Sequence, residues 1–185
     1  MLNTPRIEPV DTPKIKESIK KAMRFFNRNG KSPEYPGNLF GTLFNHPALT
    51  LKWFTFAHHI LFKSTLSARD QEIIILRTGW LCQSEYEWSH HSILAKNAGL
   101  SDIEIEKIKD GPLAGGWSRY DAYLLKAVDE LKLNAFINDN TWNELSKHLS
   151  TKQMMDLVFT IGQYNLVSMA LNSFGVQLDE GLRDA

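Results

Sequence analysis

Two carboxylates and two adjacent histidines fall within eight residues in the run SEYEWSHH, residues 84–91. Residues three and four apart share one face of an α-helix. One stripe of such a helix holds, in order, Ser84, Glu87, His91, Leu94 and Ala98, and the opposite stripe is wholly polar. Glu87 and His91 are therefore predicted to face inwards, where a carboxylate and an imidazole can pass a proton to and from a substrate.

The same residues have a second interpretation that needs no chemistry. Ser84 followed three residues later by Glu87 fits a capping box, in which a hydroxyl and a carboxylate bond to the backbone of the first helical turn. His91 would then be a buried histidine satisfied by its neighbours. From these residues alone, both interpretations stay open.

Glu72 and Cys82 are further candidates. Glu72 precedes the run IIIL at the start of an apolar helix. A carboxylate there is costly unless it is paired or lies at the positive helix end, and pairing would make it a second acid–base group. Cys82 is the single cysteine, so it is either an inert buried thiol or a peroxide-reducing thiol that needs an external partner thiol.

Composition excludes several classes of function. Lys plus Arg equals Asp plus Glu at 21 each, so the net charge gives the protein no overall electrostatic attraction to nucleic acid or to an anionic membrane. The N-terminal run has no apolar signal segment and no apolar run could span a bilayer, which predicts a cytoplasmic protein without membrane contact. The doublets at His58 and His90 lack metal-binding spacing, so we expect no metal and no cofactor.

Proline placement and helical periodicity predict an all-α fold. Six of the seven prolines lie in the first 47 residues. Helices are predicted from Asp11 or Thr12 to Gly30, over 37–45, from Pro47 through Lys63, from Ser67 through Gln83, over 84–98, from Ser101, and over 118–133, 140–149 and 150–174. We predict one domain over residues 11–178 with tails at 1–10 and 179–185.

A weak internal repeat supports two similar helical halves. The runs LSARDQEIIILRTG, residues 66–79, and LSTKQMMDLVFTIG, residues 149–162, share Leu, Ser and Gly at the same offsets. The four apolar residues in a row, Ile73 to Leu76, could also form a buried strand, but no partner run has strand spacing.

Residues 68–108 resemble the core of the carboxymuconolactone decarboxylase and AhpD-like alkylhydroperoxidase superfamily. The resemblance rests on the helix-opening Glu72, the run Tyr-Glu-Trp, His91 four residues after Glu87, and the Gly-Leu-Ser helix start. The C-terminal run DLVFTIGQYNLVSMALNSFGVQL is similar to the last helix of a longer subgroup. The resemblance implies an AhpD-like helical bundle that forms homo-oligomers, whether dimers, trimers or hexamers.

The resemblance also implies what chemistry is lost. The peroxidase branch has a Glu, a Cys-x-x-Cys whose first Cys is the twelfth residue after that Glu, and a His four residues after the second Cys. Ser84 and Glu87 occupy the two cysteine positions here, so a dithiol cycle cannot operate. What remains is similar to the decarboxylase branch, in which acid–base groups promote loss of carbon dioxide from a lactone acid.

We therefore expect a cofactor-free enzyme that acts on a small carboxylated or lactone substrate, or else a noncatalytic module with a ligand pocket. The predicted catalytic residues are His91, Glu87 and Glu72, with Glu87 orienting His91. The predicted substrate contacts are Ser84, Tyr86, Trp88, Cys82, Gln163 and Tyr164.

Overall fold

The protein is described by a computed structural model over residues 2–10 and 37–182. These residues form eight helices and no strand, which confirms the all-α prediction. The helix predicted from Asp11 or Thr12 to Gly30 lies outside the described residues. The helices are α1 (Gly37–Leu43), α2 (Pro47–Phe62), α3 (Ala68–Leu81), α4 (Glu85–Asn97), α5 (Asp102–Ile108), α6 (Arg119–Asn134), α7 (Asp139–Leu145) and α8 (Thr151–Phe174).

Most helices begin where a short polar side chain can bond to a free backbone amide. The side chains of Ser67, Ser101, Ser118 and Asn138 each accept a hydrogen bond from the amide three residues on. These contacts explain why the predicted starts agree with the structure to within a residue or two. The main difference is α7, which ends at Leu145 because turns, rather than helix, follow to residue 149.

The chain divides into two compact units, and the larger one is Ser64–Met169. In this unit α3 packs against α4, α5 and α6, and α6 packs against α7. The apolar block Ile73–Leu76 of α3 is fully buried, as expected for a central helix. The core around it also contains Leu124, Leu125, Val128, Leu145, Leu157 and Ile161.

The smaller unit consists of Met1–Lys63 and Ala170–Ala185. The amides of Arg6 and Ile7 donate to the carbonyl of Phe174, so the first described residues are tied to the end of α8. At the other end of the chain, the side chain of Asp179 accepts a hydrogen bond of 2.6 Å from the amide of Asn38. Parts of both predicted tails are thus bonded to helices, and the boundaries of a single domain over 11–178 stay a prediction.

The two runs of the weak repeat both lie at the starts of helices. Each begins just before a long helix, α3 or α8, and Leu66 and Leu149 at their starts are both buried. None of the helices in the described residues is both long enough and apolar enough to cross a membrane.

Candidate functional site

Helix α4 presents a buried face with two ionisable side chains. Glu87 and His91 are buried, as predicted, together with Tyr86 and Ala95. The prediction that Leu94 continues this face is wrong, because Leu94 is 45% exposed while Ala95 is completely buried. The buried face of α4 is centred near His91 rather than near Glu87. Ala95 therefore faces the protein interior, and Leu94 lies at the edge of that face.

The two ring nitrogens of His91 face two different carboxylates. Nδ1 lies 2.7 Å from Oε2 of Glu72, at hydrogen-bonding distance. Nε2 lies 3.4 Å from Oε2 of Glu87. Since α3 begins at Ala68, Glu72 belongs to its second turn and is too far in to be explained as a charge at the helix start. The structure therefore brings together all three predicted catalytic residues.

Burial and charge act on this cluster in opposite directions. Burial raises the pKa of Glu87, and the neighbouring charges of His91 and His90 only partly lower it. Burial lowers the pKa of His91, but the charge and hydrogen bond of Glu72, with the charge of Glu87, outweigh it, so the pKa is raised. Glu72 therefore favours the protonated form of His91, and burial favours the protonated form of Glu87.

The capping-box interpretation of Ser84 and Glu87 is wrong. Ser84 is the residue before α4, but its side chain makes no hydrogen bond to the backbone of the first turn. The carboxylate of Glu87 turns towards His91 instead. Ser84 is only 2% exposed, and its Oγ has no hydrogen-bond partner.

Gly79, which the sequence analysis noted only as a shared position of the weak repeat, lets α4 come this close to α3. A Cβ added at Gly79 would lie 3.2 Å from the Cβ of Glu87 and 3.8 Å from the amide nitrogen of Trp88. Few real Cβ contacts are that short, so a larger residue would push the start of α4 outwards. A glycine in the interior of an apolar helix is the signal that could have shown this close approach.

Helix α8 supplies a third side to the cluster. The ring of Tyr164 lies edge-on to the ring of His91, with centroids 5.0 Å apart. Burial, with the charges of Glu87 and Glu72, raises the pKa of Tyr164 well above its ordinary value, so the side chain stays a neutral phenol. On the same helix, Oε1 of Gln163 and Oγ1 of Thr160 are buried without a hydrogen-bond partner. The sequence analysis missed Thr160, although it lies one turn before Tyr164.

Tyr86 and Trp88, predicted as substrate contacts, have ring contacts with other aromatic groups. The ring of Tyr86 lies 4.4 Å from the ring of His90. Trp88 packs edge-on against Trp80 at 5.4 Å, and Nζ of Lys109 lies 4.8 Å from the Trp88 ring centroid. These contacts place the two residues on α4 next to the cluster.

Cys82 lies at the end of α3 in a polar group of its own. Its Sγ is 3.2 Å from Oδ1 of Asn165, and Nζ of Lys132 is 3.1 Å from the same sulfur. Lys132 also donates to Oδ1 of Asn165 at 3.0 Å. Neither partner was predicted, because both are far from Cys82 in sequence and only the fold brings them together. In the part of the chain that the structure describes, no three His, Cys, Asp or Glu side chains are arranged to hold a metal ion.

The arrangement of helices is shared with solved AhpD-like proteins. An uncharacterised peroxidase-related protein of Ralstonia eutropha with an alkylhydroperoxidase AhpD core superposes with a TM-score of 0.80 at 16% identity, over 98% of this chain and 96% of that one. A peroxidase-related protein of a Silicibacter species has a TM-score of 0.71 at 15% identity, over 97% and 91%. The debrominase Bmp8 in complex with 2,3,4-tribromopyrrole has a TM-score of 0.77 at 12% identity, over 98% and 96%. These similarities define the fold as AhpD-like.

Part of the sequence matches a known family. Residues 47–130 match the profile of the Carboxymuconolactone decarboxylase family. The match includes Glu72, Glu87 and His91. Residues 47–130 are therefore similar in sequence to the Carboxymuconolactone decarboxylase family, within a fold that is AhpD-like. No curated protein matches it significantly.

Proposed function

We propose that the protein is a cofactor-free, cytoplasmic enzyme that removes carbon dioxide from a small carboxylated or lactone substrate by proton transfer. The observation that carries the proposal is the position of His91 between Glu72 and Glu87 in a buried cluster. Burial and paired charge shift the pKa of His91 and of Glu87 away from their ordinary values, as is common for groups that move protons in catalysis.

The distances support a definite division of roles. Glu72 holds Nδ1 of His91 at 2.7 Å and so fixes the ring and its charge, whereas Glu87 lies 3.4 Å from Nε2. The sequence suggested that Glu87 orients His91 and that Glu72 is the second acid–base group. The distances reverse these two roles. His91 is then the proton donor through Nε2, and Glu87 is the group that exchanges a proton with it.

The proposed reaction has two stages, decarboxylation of the substrate and protonation of the product carbon. The bond between the substrate and its carboxylate carbon breaks, carbon dioxide leaves, and the electron pair moves onto an adjacent carbonyl as an enolate. The imidazolium of His91 stabilises the developing negative charge. The product carbon then takes a proton from His91 or Glu87, and a proton from the bulk solvent, which the overall reaction consumes, restores the enzyme.

Unpartnered polar atoms support a polar ligand beside this cluster. The hydroxyl of Ser84 and the amide oxygen of Gln163 are buried without hydrogen bonds. Such atoms are costly unless something binds to them. We assign Ser84 and Gln163 to hold oxygen and hydroxyl groups of the substrate, while the neutral ring of Tyr164 covers one face of His91.

The test measures the release of carbon dioxide from carboxymuconolactone and from a panel of small lactone acids and β-keto acids. The substitution His91→Gln should lower turnover on the order of 10²- to 10⁴-fold, the usual contribution of a general acid–base group. His90→Gln is the matched control from the same doublet and should change turnover less than tenfold. Circular dichroism checks that both variants are folded.

Two results would contradict the proposal. A His91→Gln variant as active as its parent would remove His91 from the chemistry. Tight binding of an acid from the panel without any turnover would favour the noncatalytic module with a ligand pocket.

A second candidate function uses Cys82, and the observation that favours it is the ammonium of Lys132 beside the sulfur. The thiol would reduce a hydroperoxide to an alcohol and become a sulfenic acid. A first external thiol would then condense with the sulfenic acid, releasing water and forming a mixed disulfide, and a second would release the Cys82 thiol together with the external disulfide. If Cys82→Ser consumes peroxide as fast as the parent protein, this candidate fails.

A further inference from the structure

Helix α8 carries two fully buried hydroxyl groups to which the proposed function gives no role. Thr160 and Ser168 are both 0% exposed, and neither hydroxyl oxygen has a hydrogen-bond partner. They lie in the larger unit, four residues before and four residues after Tyr164. We call Thr160, Tyr164 and Ser168 the α8 hydroxyl row.

A buried hydroxyl in a helix usually bonds to the backbone of its own helix. Thr78, in the interior of α3, does so, because its Oγ1 donates to the carbonyl of Ile74 at 2.7 Å. Thr160 and Ser168 make no such bond within α8. A buried hydroxyl without a partner is costly, so these two groups indicate that a partner outside the helix binds to them.

The α8 hydroxyl row lies on the side of α8 that meets the cluster around His91. The ring of Tyr164, in the middle of the row, has its centroid 5.0 Å from that of His91. Residues four apart share one helix face and lie about 6 Å apart along the axis. Thr160 and Ser168 therefore flank the contact with His91 on either side. From α4, the unpartnered hydroxyl of Ser84 lies on the same helix face as His91.

The charges in this part of the protein limit the kind of ligand. His91 lies between the carboxylates of Glu72 and Glu87, so it is the cation that a ligand carboxylate would meet. Arg77 is the only buried Lys or Arg among residues 2–10 and 37–182, and its guanidinium is already held by Asp129. A ligand with one carboxylate therefore suits the cluster, whereas further anionic groups would be repelled by the two glutamates.

Hydroxyl groups on the ligand suit the remaining partners. A hydroxyl both donates and accepts, so it can pair with a Thr or Ser hydroxyl and can also donate to the buried amide oxygen of Gln163. A carbonyl or carboxylate oxygen only accepts and would leave the oxygen of Gln163 unpaired. The buried polar atoms therefore favour several hydroxyl groups beside a single carboxylate.

We propose that the ligand of this site is a polyhydroxylated carboxylic acid, such as a sugar-derived keto acid, whose carboxylate end lies at His91 and whose hydroxyl groups bond to Thr160 and Ser168. That this ligand is also the substrate rests on the proposed function. A β-keto acid of this class would lose its carboxylate as carbon dioxide, take up one proton at the carbon that carried it, and leave a hydroxyketone.

Acids of equal chain length and charge test the inference without any turnover. Gluconate and its stereoisomers galactonate and mannonate carry hydroxyl groups along the chain, and hexanoate carries none. In calorimetric titration of the full chain, the best of the three sugar acids should bind roughly 100-fold more tightly than hexanoate. Thr160→Val and Ser168→Ala should each weaken binding of that sugar acid about tenfold, the effect of one hydrogen bond, and leave hexanoate unchanged.

A matched control separates ligand binding from folding. Thr141 is also completely buried, but its hydroxyl donates to the carboxylate of Glu130 at 2.8 Å. Thr141→Val should therefore lower the midpoint of urea unfolding and leave sugar-acid binding unchanged. Thr160→Val should do the reverse. It should raise the midpoint of the ligand-free protein, because it removes an unpaired buried hydroxyl, while it weakens binding.

Two binding results would overturn the inference. The first is the lack of any preference for the three sugar acids over hexanoate, no detectable binding included. The second is a preference that survives both Thr160→Val and Ser168→Ala, which would show that the α8 hydroxyl row binds water rather than the ligand.

The fate of this inference can be told apart from that of the proposed function. Decarboxylation of 3-oxohexanoate in preference to its polyhydroxylated counterpart would overturn the inference and leave the proposed function standing. Sugar-acid binding as described, with no decarboxylation of any acid in the panel, would support the inference and overturn the proposed function.

Discussion

Two neighbouring helices begin with the same pattern, Ser-x-x-Glu, and the fold uses the pattern in opposite ways. At α5, Ser101 accepts from the amide of Glu104, and the carboxylate of Glu104 accepts from the amide of Ser101 at 2.9 Å. At α4, Ser84 makes no such bond and Glu87 turns towards His91. The first pair caps a helix and the second pair belongs to the candidate site.

The difference between the two glutamates is their environment. Hydrogen bonds from Ser101 and the guanidinium of Arg69 lower the pKa of Glu104 to about 2. Glu87 is only 4% exposed, and burial raises its pKa. The same residue in the same local pattern is therefore a stable anion at one helix and the proposed proton carrier at the other. A local sequence pattern can stand for structure or for chemistry, and its surroundings decide which.

The largest expected difference between the two pairs is in turnover. Glu87→Gln should lower decarboxylation on the order of 10²-fold or more, because it removes the group that exchanges a proton with His91. Glu104→Gln should leave the rate unchanged, since Glu104 stabilises a helix end. Steady-state kinetics on a substrate turned over by the parent protein measures both. Equal losses in the two variants would place Glu87 in a purely structural role.

The two pairs should also give the free energy of unfolding opposite pH dependences. Glu87 and His91 have raised pKa values in the folded state, so the folded state binds more protons than the unfolded one. Their contribution is then present at low pH and is lost as pH rises through the folded pKa values, above the ordinary values of 4.5 and 6.5. Glu104 has a lowered pKa, so its contribution is present above 4.5 and is lost as pH falls towards about 2.

Urea unfolding at a series of pH values separates these contributions. The parent protein should lose stability relative to Glu87→Gln as pH rises, and relative to Glu104→Gln as pH falls. Parallel curves for the parent protein and Glu87→Gln would show that Glu87 titrates as it does in the unfolded chain.

The smallest expected difference lies in the two serines. Ser101→Ala should lower the free energy of unfolding by about 1 kcal/mol, the usual effect of removing an N-cap side chain. Ser84→Ala should lower it by less, because the hydroxyl of Ser84 has no hydrogen bond to lose. Chemical denaturation of both variants at neutral pH is the measurement. A loss at Ser84 as large as that at Ser101 would indicate that Ser84 does cap α4 in solution.

Much of the local structure could be predicted from the sequence. The N-cap residues Ser67, Ser101 and Ser118 each precede an apolar helical pattern, and capping depends on atoms within four residues of each other. The inward position of Glu87 and His91 likewise follows from helical phase. Leu94 was misplaced because phase alone does not show how the buried arc is centred on a neighbouring helix.

The sequence by itself determined the helices and the fold family, and it singled out Glu72, Glu87 and His91 as candidates for one site. Only the tertiary structure decided that Glu72 holds Nδ1 of His91, that Ser84 is left without a partner and that Lys132 and Asn165 meet Cys82. The physical reason is the separation along the chain over which each kind of interaction acts. Helix formation and capping act within one or two turns, whereas burial, pKa and long-range pairing depend on which helices pack together.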